Sequence, residues 1–433
     1  MELKIEKLVY GGDGLARLPS DAQPGPGKAV FVPYTLPDER VAATIVEQKT
    51  GFARARLDRV LSPSPLRSSA PCPYFGSCGG CHYQHTSYEE QLRLKADILR
   101  EQLLRTAKLT LEIPIKTHAS PPLHYRNRTR FHLRHEPAFA IGYFRQGSRD
   151  LLPVNECPIS SALINRALPR LWELGKAETD PGVNEIELFA DANDERLLVE
   201  LYLDNNNVSG EELKDFSVRL ARAIPETEGI ACFSPAIGAR SALPENHLLH
   251  GSSIMEYKTK RSAYGVSAGA FFQTNRYLID RIIDVVVDDR HGKLALDLYS
   301  GVGLFALPLA QNFERVIAVE SSPISGADLR KNLPANASMS SHSVEEYLAT
   351  FAHNKPSPDL VVADPPRAGL GTAVCRQISA LATSEIVYVS CDPATLARDL
   401  KQLSNDGWRI SAMHLVDLFP QTFHIETITV LQR

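Results

Sequence analysis

The C-terminal part of the chain alternates between short apolar segments and amphipathic ones, and this alternation limits the possible folds more than any other feature. From about residue 274, helical stretches separate six strand candidates, at 293–298, 315–320, 359–364, 386–391, 408–417 and 426–431. Strands that alternate with helices predict a doubly wound, parallel α/β sheet. Ligands of such sheets bind beyond the carboxyl ends of the strands, so we expect the chemistry where these segments end.

The earlier part of the chain contains short apolar or alternating segments, which are typical of β-strands. Residues 1–61 contain short strand candidates beside a glycine-rich turn, which predicts a small OB-like β-barrel that ends at the proline-rich segment 62–65. Residues 87–107 have apolar side chains at helical spacing behind a candidate cap, Ser87, and predict one helix. Residues 125–260 return to strands and predict a β-rich central domain.

Composition narrows the class of protein. The chain has 433 residues, of which 43% are hydrophobic and 23% charged, as in ordinary globular proteins with more than one domain. It has no apolar run of about eighteen residues, which predicts no membrane span. Residues 1–7 lack an apolar signal core, which predicts a cytoplasmic protein. A net charge of −4 excludes a chain that coats nucleic acid throughout, but it allows a local basic face.

A glycine-rich loop follows the first strand of the alternating region. Gly301 and Gly303 allow a sharp turn and a close approach to a ligand. Glu320 ends the next strand, where its carboxylate can accept both ribose hydroxyls of a nucleoside cofactor. The pattern fits S-adenosylmethionine (SAM). Ala306 also completes the pattern of dinucleotide-binding loops, so NAD remains an alternative ligand. A purely structural turn is the third interpretation of this loop.

Cys391 lies at a strand end, directly before a predicted helix whose N-terminus favours the thiolate. A thiolate can add to carbon 6 of a pyrimidine, which makes carbon 5 nucleophilic enough to take a methyl group. A base must then remove the carbon 5 proton so that the thiol can leave, and Glu426 is the candidate base. The structural alternatives are a buried thiol for Cys391, a salt-bridge partner for Glu426 and a helix cap for Asp364.

Several longer segments resemble the RNA uracil-5-methyltransferase family, which includes the TrmA and RumA types. These segments are 271–275, 364–369, 386–391 and 416–426. The resemblance implies a class I SAM-dependent methyltransferase in which Cys391 is the nucleophile and Glu426 accepts the proton. It further implies that Phe271 stacks near the target base. The residues expected to hold SAM, including the two loop glycines, are Gln273, Tyr299, Gly301, Gly303, Glu320 and Asp364.

Two positions depart from the family pattern. Asp392 stands where members usually have asparagine after the nucleophile, and Leu304 stands where better-known relatives have asparagine near SAM. The hydrogen bonding around the uracil is therefore open at Asp392. Any cofactor contact at Leu304 has to be apolar or made by the backbone.

The N-terminal region is similar to a TRAM domain, a small RNA-binding barrel; segment 36–41 matches its hallmark except for Asp38 in place of the usual glycine. The expected division is a TRAM barrel at 1–61 and a catalytic SAM-dependent methyltransferase domain at 266–433. A central iron–sulfur and RNA-binding domain is expected at 62–91 and 124–265. The helical segment 92–123 is expected to pack on the catalytic domain.

Four of the seven cysteines form a separate pattern. Cys72, Cys78 and Cys81 lie close in sequence, and Cys157 follows much later. Four thiolates can bind zinc or hold an iron–sulfur cluster, and spacing alone does not separate the two. Three prolines next to two of these cysteines, Cys72 and Cys157, favour a cluster, and the same pattern in the resembled family implies a 4Fe-4S cluster. Two further cysteines are expected to be structural thiols: Cys232 and Cys375.

A basic segment predicts contact with RNA. Residues 122–149 contain six arginines and one acidic residue, with aromatic side chains between them. Arg126, Arg128 and Arg130 alternate, so they share one strand face that is expected to grip phosphates. The alternative is a solvated strand face.

The combined expectation is an enzyme that makes 5-methyluridine in 23S ribosomal RNA, as a monomer with no membrane contact. The cysteine pattern favours the ribosomal branch of the resembled family, and the same reaction on transfer RNA is the alternative. Two hypotheses from other classes are a non-catalytic RNA chaperone and a zinc-dependent RNA-binding scaffold.

Overall fold

The structure, a computed structural model, describes residues 1–18, 27–177, 182–204, 209–234, 246–287, 289–351 and 357–433. Four sheets organise the chain. They contain six, seven, two and eight strands in the described residues. No helix in these ranges is long and apolar enough to cross a membrane.

The N-terminal sheet has the strand order β1-β5-β6-β4-β3-β2. Alternate residues of its strands, such as Val30 and Val32, point into one small core, because successive side chains of a strand face opposite ways. Its strands are β1 Glu2–Lys4, β2 Lys7–Leu8, β3 Asp13–Arg17, β4 Ala29–Pro33, β5 Arg40–Gln48 and β6 Phe52–Ser62.

The helix predicted over 87–107 is confirmed, with one difference. An α-helix, α1 (Tyr88–Gln102), is capped by Ser87, whose hydroxyl accepts a hydrogen bond from the Glu90 amide at 3.3 Å. Its end, Leu103–Ala107, widens to π-helical geometry. Strand β7 (Ile115–His118) follows. It forms an edge of the C-terminal sheet, where it pairs in parallel with residues 413–416.

The central sheet has the strand order β10-β9-β8-β11-β12-β13-β14. Two amphipathic helices cover it with leucine-rich faces. The helices are α2 Ala162–Ala177 and α3 Gly210–Ala223. The strands are β8 Arg128–Arg134, β9 Ala140–Phe144, β10 Leu151–Pro153, β11 Val183–Ala190, β12 Leu197–Leu203, β13 Thr227–Phe233 and β14 Asn246–Gly251. A hairpin then leads to the C-terminal region; it consists of β15 Ile254–Lys258 and β16 Ala263–Ser267.

The C-terminal region confirms the predicted doubly wound α/β fold. Its strands are β17 Gly292–Leu298, β18 Phe313–Val319, β19 Ala337–Ser340, β20 Leu360–Ala363, β21 Glu385–Ser390, β22 Arg409–Val416 and β23 Glu426–Gln432. Its helices are α4 Ile279–Val287, α5 Ala306–Leu309, α6 Pro323–Asn332, α7 Val344–Phe351, α8 Gly371–Ala380 and α9 Pro393–Asn405.

The order of this sheet is β19-β18-β17-β20-β21-β23-β22-β7, and β23 alone runs against its neighbours. The strand order reverses between β17 and β20, which is the switch point where ligands bind in such sheets. Along β17, Leu294 and Leu296 enter the core on one face and Ala295 the core on the other. Helices therefore cover both faces.

The N-terminal sheet is packed against α1 and the C-terminal sheet. Leu8 and Leu36 share an apolar cluster with Leu94 and Leu415. Beneath it, the Lys95 ammonium donates to the Asp417 carboxylate at 2.6 Å, and both side chains are buried. This ion pair joins α1 to the segment 417–425, called here the 417–425 loop.

Candidate active site

The strand order sets two predicted residues side by side. β21 and β23 are antiparallel, with Ser390 opposite Thr427, and the same register continued by one residue sets Cys391 opposite Glu426. Cys391 precedes α9, and Glu426 is the first residue of β23. A thiol and a carboxyl group from segments distant in sequence thus meet at one edge of the sheet.

The protonation state of Cys391 differs from the expectation. Burial, followed by the nearby charges of Glu426 and Asp364, raises the pKa of the thiol to about 12, and the Arg367 guanidinium opposes this rise. This raised pKa contradicts the prediction that the helix N-terminus favours the thiolate. Desolvation and two carboxyl groups outweigh the helix dipole.

Both carboxyl groups are affected by the same burial. Burial raises the pKa of Asp364 to about 7. Burial and then the charge of Asp364 raise the pKa of Glu426, while Arg367 lowers it. Shifts of this kind are common at catalytic sites, because a carboxyl group with a raised pKa is a stronger base once it ionises.

The loop that begins at Asp364 is fixed on α9. The Thr395 hydroxyl donates to the Arg367 carbonyl at 3.1 Å, and the Arg398 guanidinium donates to the Ala368 carbonyl at 2.7 Å. The Asp399 carboxylate accepts from the Leu370 amide at 2.8 Å. The loop and Cys391 therefore depend on the same helix for their position.

The glycine-rich loop turns sharply and fixes the position of Glu320. Gly303 has a φ of +101°, and a Cβ there would lie 2.6 Å from a Leu307 methyl carbon. The Gly301 amide donates to one Glu320 oxygen at 2.8 Å, and the Ser322 amide donates to the other at 2.6 Å. Tyr299, half-buried, also has a positive φ, 63°. These bonds hold Glu320 at the mouth of the loop.

Asp297 is a candidate functional residue missing from the predicted set. It lies in β17, is fully buried, and neither carboxylate oxygen has a hydrogen-bond partner among the described residues. Burial raises its pKa to about 8. The sequence signal was available, since Asp297 is an acidic residue in an otherwise apolar strand directly before the glycine loop.

The predicted segment 271–275 reaches the same edge of the sheet. The Asn275 side-chain amide donates to the Leu418 carbonyl at 3.1 Å and to the Ser120 hydroxyl at 3.0 Å. Gln273 is buried, whereas Phe271 is 64% exposed. The segment is thus tied to the 417–425 loop and presents an aromatic ring to solvent.

Arg128 and Arg130 do not form the open basic face that was predicted. The Arg128 guanidinium is buried between Glu187 and Glu200 and donates to the Ala270 carbonyl. Arg130 donates to Glu187 at 2.8 Å. Carboxylates on β11 and β12 neutralise these arginines, so the prediction that Arg128 grips phosphate is wrong. Its bond to Ala270 instead supports the segment before Phe271.

The four predicted metal-ligating cysteines come together around one cavity. Cys72, Cys78, Cys81 and Cys157 all line a cavity of about 340 Å³. Arg126 lines it too, and its described hydrogen bond, from Nε to the Arg128 carbonyl, leaves its terminal nitrogens for the cavity. Among the described residues, no three His, Cys, Asp or Glu side chains form a group that could hold a metal ion.

Asp392, which departs from the family pattern, caps α9. One carboxylate oxygen accepts from the Ala394 and Thr395 amides, each at 2.9 Å. The other oxygen accepts from the Tyr10 hydroxyl at 3.1 Å. Tyr10 belongs to the N-terminal sheet region, and no feature of its local sequence pointed to this contact.

Comparisons with known proteins agree along the whole chain. Residues 87–433 match the sequence model of the family described as tRNA (Uracil-5-)-methyltransferase, and residues 1–57 match the TRAM domain. A protein of Aquifex aeolicus described as an uncharacterized RNA methyltransferase is 33% identical, over 100% of this chain and 98% of the relative. A 23S rRNA (uracil(1939)-C(5))-methyltransferase, RlmD, of Chromohalobacter salexigens is 31% identical, over 100% of this chain and 89% of the relative.

One solved structure has the same fold throughout. It is that of Pyrococcus abyssi tRNA (uracil-54, C5)-methyltransferase in complex with S-adenosyl-L-homocysteine. The TM-score is 0.74 at 24% identity, with 100% of each chain covered. The likeness concerns the three-dimensional arrangement of both chains.

The raised pKa of Cys391 can be measured by alkylation. Because the thiolate is the reacting form, alkylation of Cys391 by iodoacetamide should be slow at neutral pH and rise about tenfold per pH unit toward the pKa. Glu426→Gln removes a repelling carboxylate, so it should lower the thiol pKa and speed alkylation at alkaline pH. Arg367→Gln should raise the pKa and slow it. Peptide mass spectrometry gives the rates, and shifts of both variants in one direction would contradict the electrostatic account.

Proposed function

Because the chain belongs to the RNA (uracil-5-)-methyltransferase family and is a SAM-dependent enzyme of RNA, we propose that it methylates carbon 5 of a specific uridine in 23S ribosomal RNA through a covalent adduct on Cys391. The observation that carries this proposal is that Cys391 and Glu426 lie directly beyond the last strand pair, Ser390 and Thr427, and that the Glu426 charge acts on the thiol. The reaction needs one nucleophile and one base within reach of the same ring.

The proposed sequence of steps uses two side chains. Once the thiol proton has been released to solvent, the Cys391 thiolate adds to carbon 6 of uracil, and the electron pair of the carbon 5–carbon 6 double bond makes carbon 5 nucleophilic. After carbon 5 has taken the methyl group, Glu426 removes the carbon 5 proton, and the double bond re-forms as the sulfur leaves. Arg367 lowers the pKa values of both groups and so favours their ionised forms.

SAM, when bound, supplies the methyl group from a sulfonium sulfur. The residues at the switch point fit this ligand, because a Cβ on Gly301 would meet nothing within 4 Å, which leaves space beside the loop, and Asp297 is a buried carboxyl group with no hydrogen-bond partner among the described residues. Glu320 has lone pairs left for the ribose after its two backbone hydrogen bonds. We infer that Gln273, Tyr299, Gly301 and Asp364 complete the cofactor site.

Ribosomal RNA is proposed as the substrate on the basis of the RlmD relatives, which share the full length of the chain. Transfer RNA is the alternative, favoured by the fold shared with the Pyrococcus enzyme. Exposed Phe271 lies before buried Gln273 and is proposed to stack against the target base or its neighbour. The uridine has to leave its stack first, which costs a few kcal/mol and is cheapest in an unpaired loop.

We further propose that the four-cysteine cavity holds a 4Fe-4S cluster. The support is the donor set of four thiols around a cavity with room for a group of several atoms, and Arg126 beside it as a counter-charge. Burial raises the pKa of Cys81 to about 12, and a bound cluster would favour the thiolate form that serves as its ligand. The cluster would join the segment 72–81 to the central sheet, and methyl transfer needs no electron from it.

The domain division follows the same reasoning. We propose a TRAM barrel at 1–61, a central cluster-bearing domain at 62–91 and 124–265, and a catalytic domain at 266–433 that includes segment 92–123. The enzyme is proposed to act as a monomer in the cytoplasm.

The covalent adduct can be trapped. With RNA that contains 5-fluorouridine, the wild-type protein and SAM should form a stable complex, because fluorine cannot leave carbon 5 as a proton does. Glu426→Gln should lower turnover by roughly 10²–10⁴-fold and accumulate adduct on ordinary RNA. Cys391→Ala should give neither adduct nor product, whereas the matched variant Cys232→Ala, at a buried and distant thiol, should keep both. Full activity of Cys391→Ala would refute the mechanism.

The target is identified by mapping. Ribosomal and transfer RNA from cells that lack this enzyme are incubated with methyl-labelled SAM and the purified protein. We expect label at one or a few uridines of 23S ribosomal RNA, with Cys391→Ala as the blank. Label confined to transfer RNA would overturn the ribosomal assignment and leave the uracil-5 chemistry intact.

The cluster is tested without any activity assay. Protein purified without oxygen should absorb light at roughly 400 nm and contain about four iron atoms per chain. Cys81→Ser should lose both the absorbance and the iron, and Cys232→Ser should keep them. Stoichiometric zinc without iron would show that these thiols form a different site.

A further inference from the structure

The tip of the N-terminal sheet touches the residue next to the proposed nucleophile. Tyr10 lies in the turn between β2 and β3, and its hydroxyl donates to the Asp392 carboxylate at 3.1 Å. Its ring meets the ring of Phe423 edge-on, with 5.7 Å between centroids and 84° between planes. One side chain of the N-terminal region therefore contacts both Asp392, which directly follows Cys391, and the 417–425 loop, which leads to Glu426.

This turn is held in place on both sides. A Cβ on Gly12 would come within 3.0 Å of the His82 ring, so the turn lies against the segment that carries the cysteines. The His82 amide donates to the Gln421 carbonyl at 2.8 Å. On the other flank, the Lys7 ammonium donates to Glu101 of α1 at 2.5 Å. Tyr10 thus reaches Asp392 from a rigid support.

Asp392 has two separate tasks in this arrangement. One oxygen caps α9 by accepting from the Ala394 and Thr395 amides, which fixes the helix start directly after Cys391. The other oxygen faces Tyr10, and burial together with this carboxylate raises the pKa of the tyrosine, so its hydroxyl stays a donor at every physiological pH. The orientation of the cap is therefore set from outside the catalytic domain.

We propose that Tyr10 is a positioning residue for methyl transfer: by holding Asp392, it fixes Cys391 in its reactive orientation only while the N-terminal barrel is docked. The TRAM region then contributes to turnover as well as to RNA binding. This inference rests on the proposed role of Cys391 and concerns the geometry of that residue, which the barrel controls through one hydrogen bond and one ring contact.

Tyr10→Phe is the decisive variant, because it removes the hydroxyl and keeps the ring on Phe423. We expect kcat to fall roughly tenfold or more while the KM for RNA and the RNA Kd stay unchanged, since an isolated hydrogen bond to a charged group is lost. Alkylation of Cys391 without RNA should become faster, because the loosened cap exposes the thiol. A role in RNA binding alone would move neither kcat nor alkylation.

Two further variants serve as controls. Tyr34→Phe removes a hydroxyl from the same sheet that has no hydrogen-bond partner among the described residues, so it should match the wild type. Asp392→Asn keeps an oxygen for the cap and offers its amide to the Tyr10 oxygen, so it should retain kcat within about threefold. Asp392→Ala loses both contacts, so its kcat should fall at least as far as that of Tyr10→Phe.

The outcomes separate this inference from the proposed function. If the wild type forms the 5-fluorouridine adduct and Tyr10→Phe equals it in kcat and in Cys391 alkylation, the positioning role is refuted and the mechanism stands. A Tyr10→Phe variant that changes only the RNA Kd also refutes it. If the wild type forms no adduct, the proposed function itself fails. Thermal midpoints of all variants verify that the fold is kept.

Discussion

The insertion of one antiparallel strand between β21 and β22 is the constraint on which the site depends. A purely parallel sheet would bring the start of β23 to the opposite edge from Cys391. Because β23 runs backwards, its first residue, Glu426, lies at the carboxyl end of β21. The same edge holds Asp364, which follows β20, so three ionisable groups share one poorly solvated space: both carboxyl groups raise the pKa of the thiol, and Asp364 raises that of Glu426. The chemistry follows from this crowding as much as from the identity of the residues.

Much of this arrangement could be predicted from the sequence. Apolar runs of strand length mark the C-terminal sheet, and chemical residues stand at their ends because that is where parallel sheets expose them. The antiparallel direction of β23 and the membership of β7 were not predictable from periodicity. Strand β7 pairs with β22, which is far away in the chain, and β23 folds back between two strands that precede it. The position of the glycine loop was predictable, but the bonds that fix Glu320 were not.

The electrostatic predictions failed where the partner was distant in sequence. Arg128 and Arg130 form a basic segment when only their neighbours are counted, yet Glu187 and Glu200 arrive from adjacent strands. The thiol of Cys391 likewise has a favourable helix start in its local sequence, and burial beside two acids reverses the balance. Tyr10 had no local signal, since its partner Asp392 is defined by docking alone. The net charge around a side chain can therefore be evaluated only when the order of the strands in the sheet is known.

The buried pair of Lys95 and Asp417 has a consequence for how the polypeptide is made. Segment 88–118 leaves the ribosome long before the strands that it completes, with an entire β-rich unit synthesised in between. Until Asp417 arrives, the Lys95 ammonium lacks this counter-ion, and its helix lacks the surface of the C-terminal sheet that it covers. The catalytic unit is thus discontinuous, and an excised fragment that starts after the central sheet would expose an apolar flank and retain an unbalanced acid in its interior. Late closure of this long-range contact makes the nascent chain dependent on segment 417–426 for a functional centre.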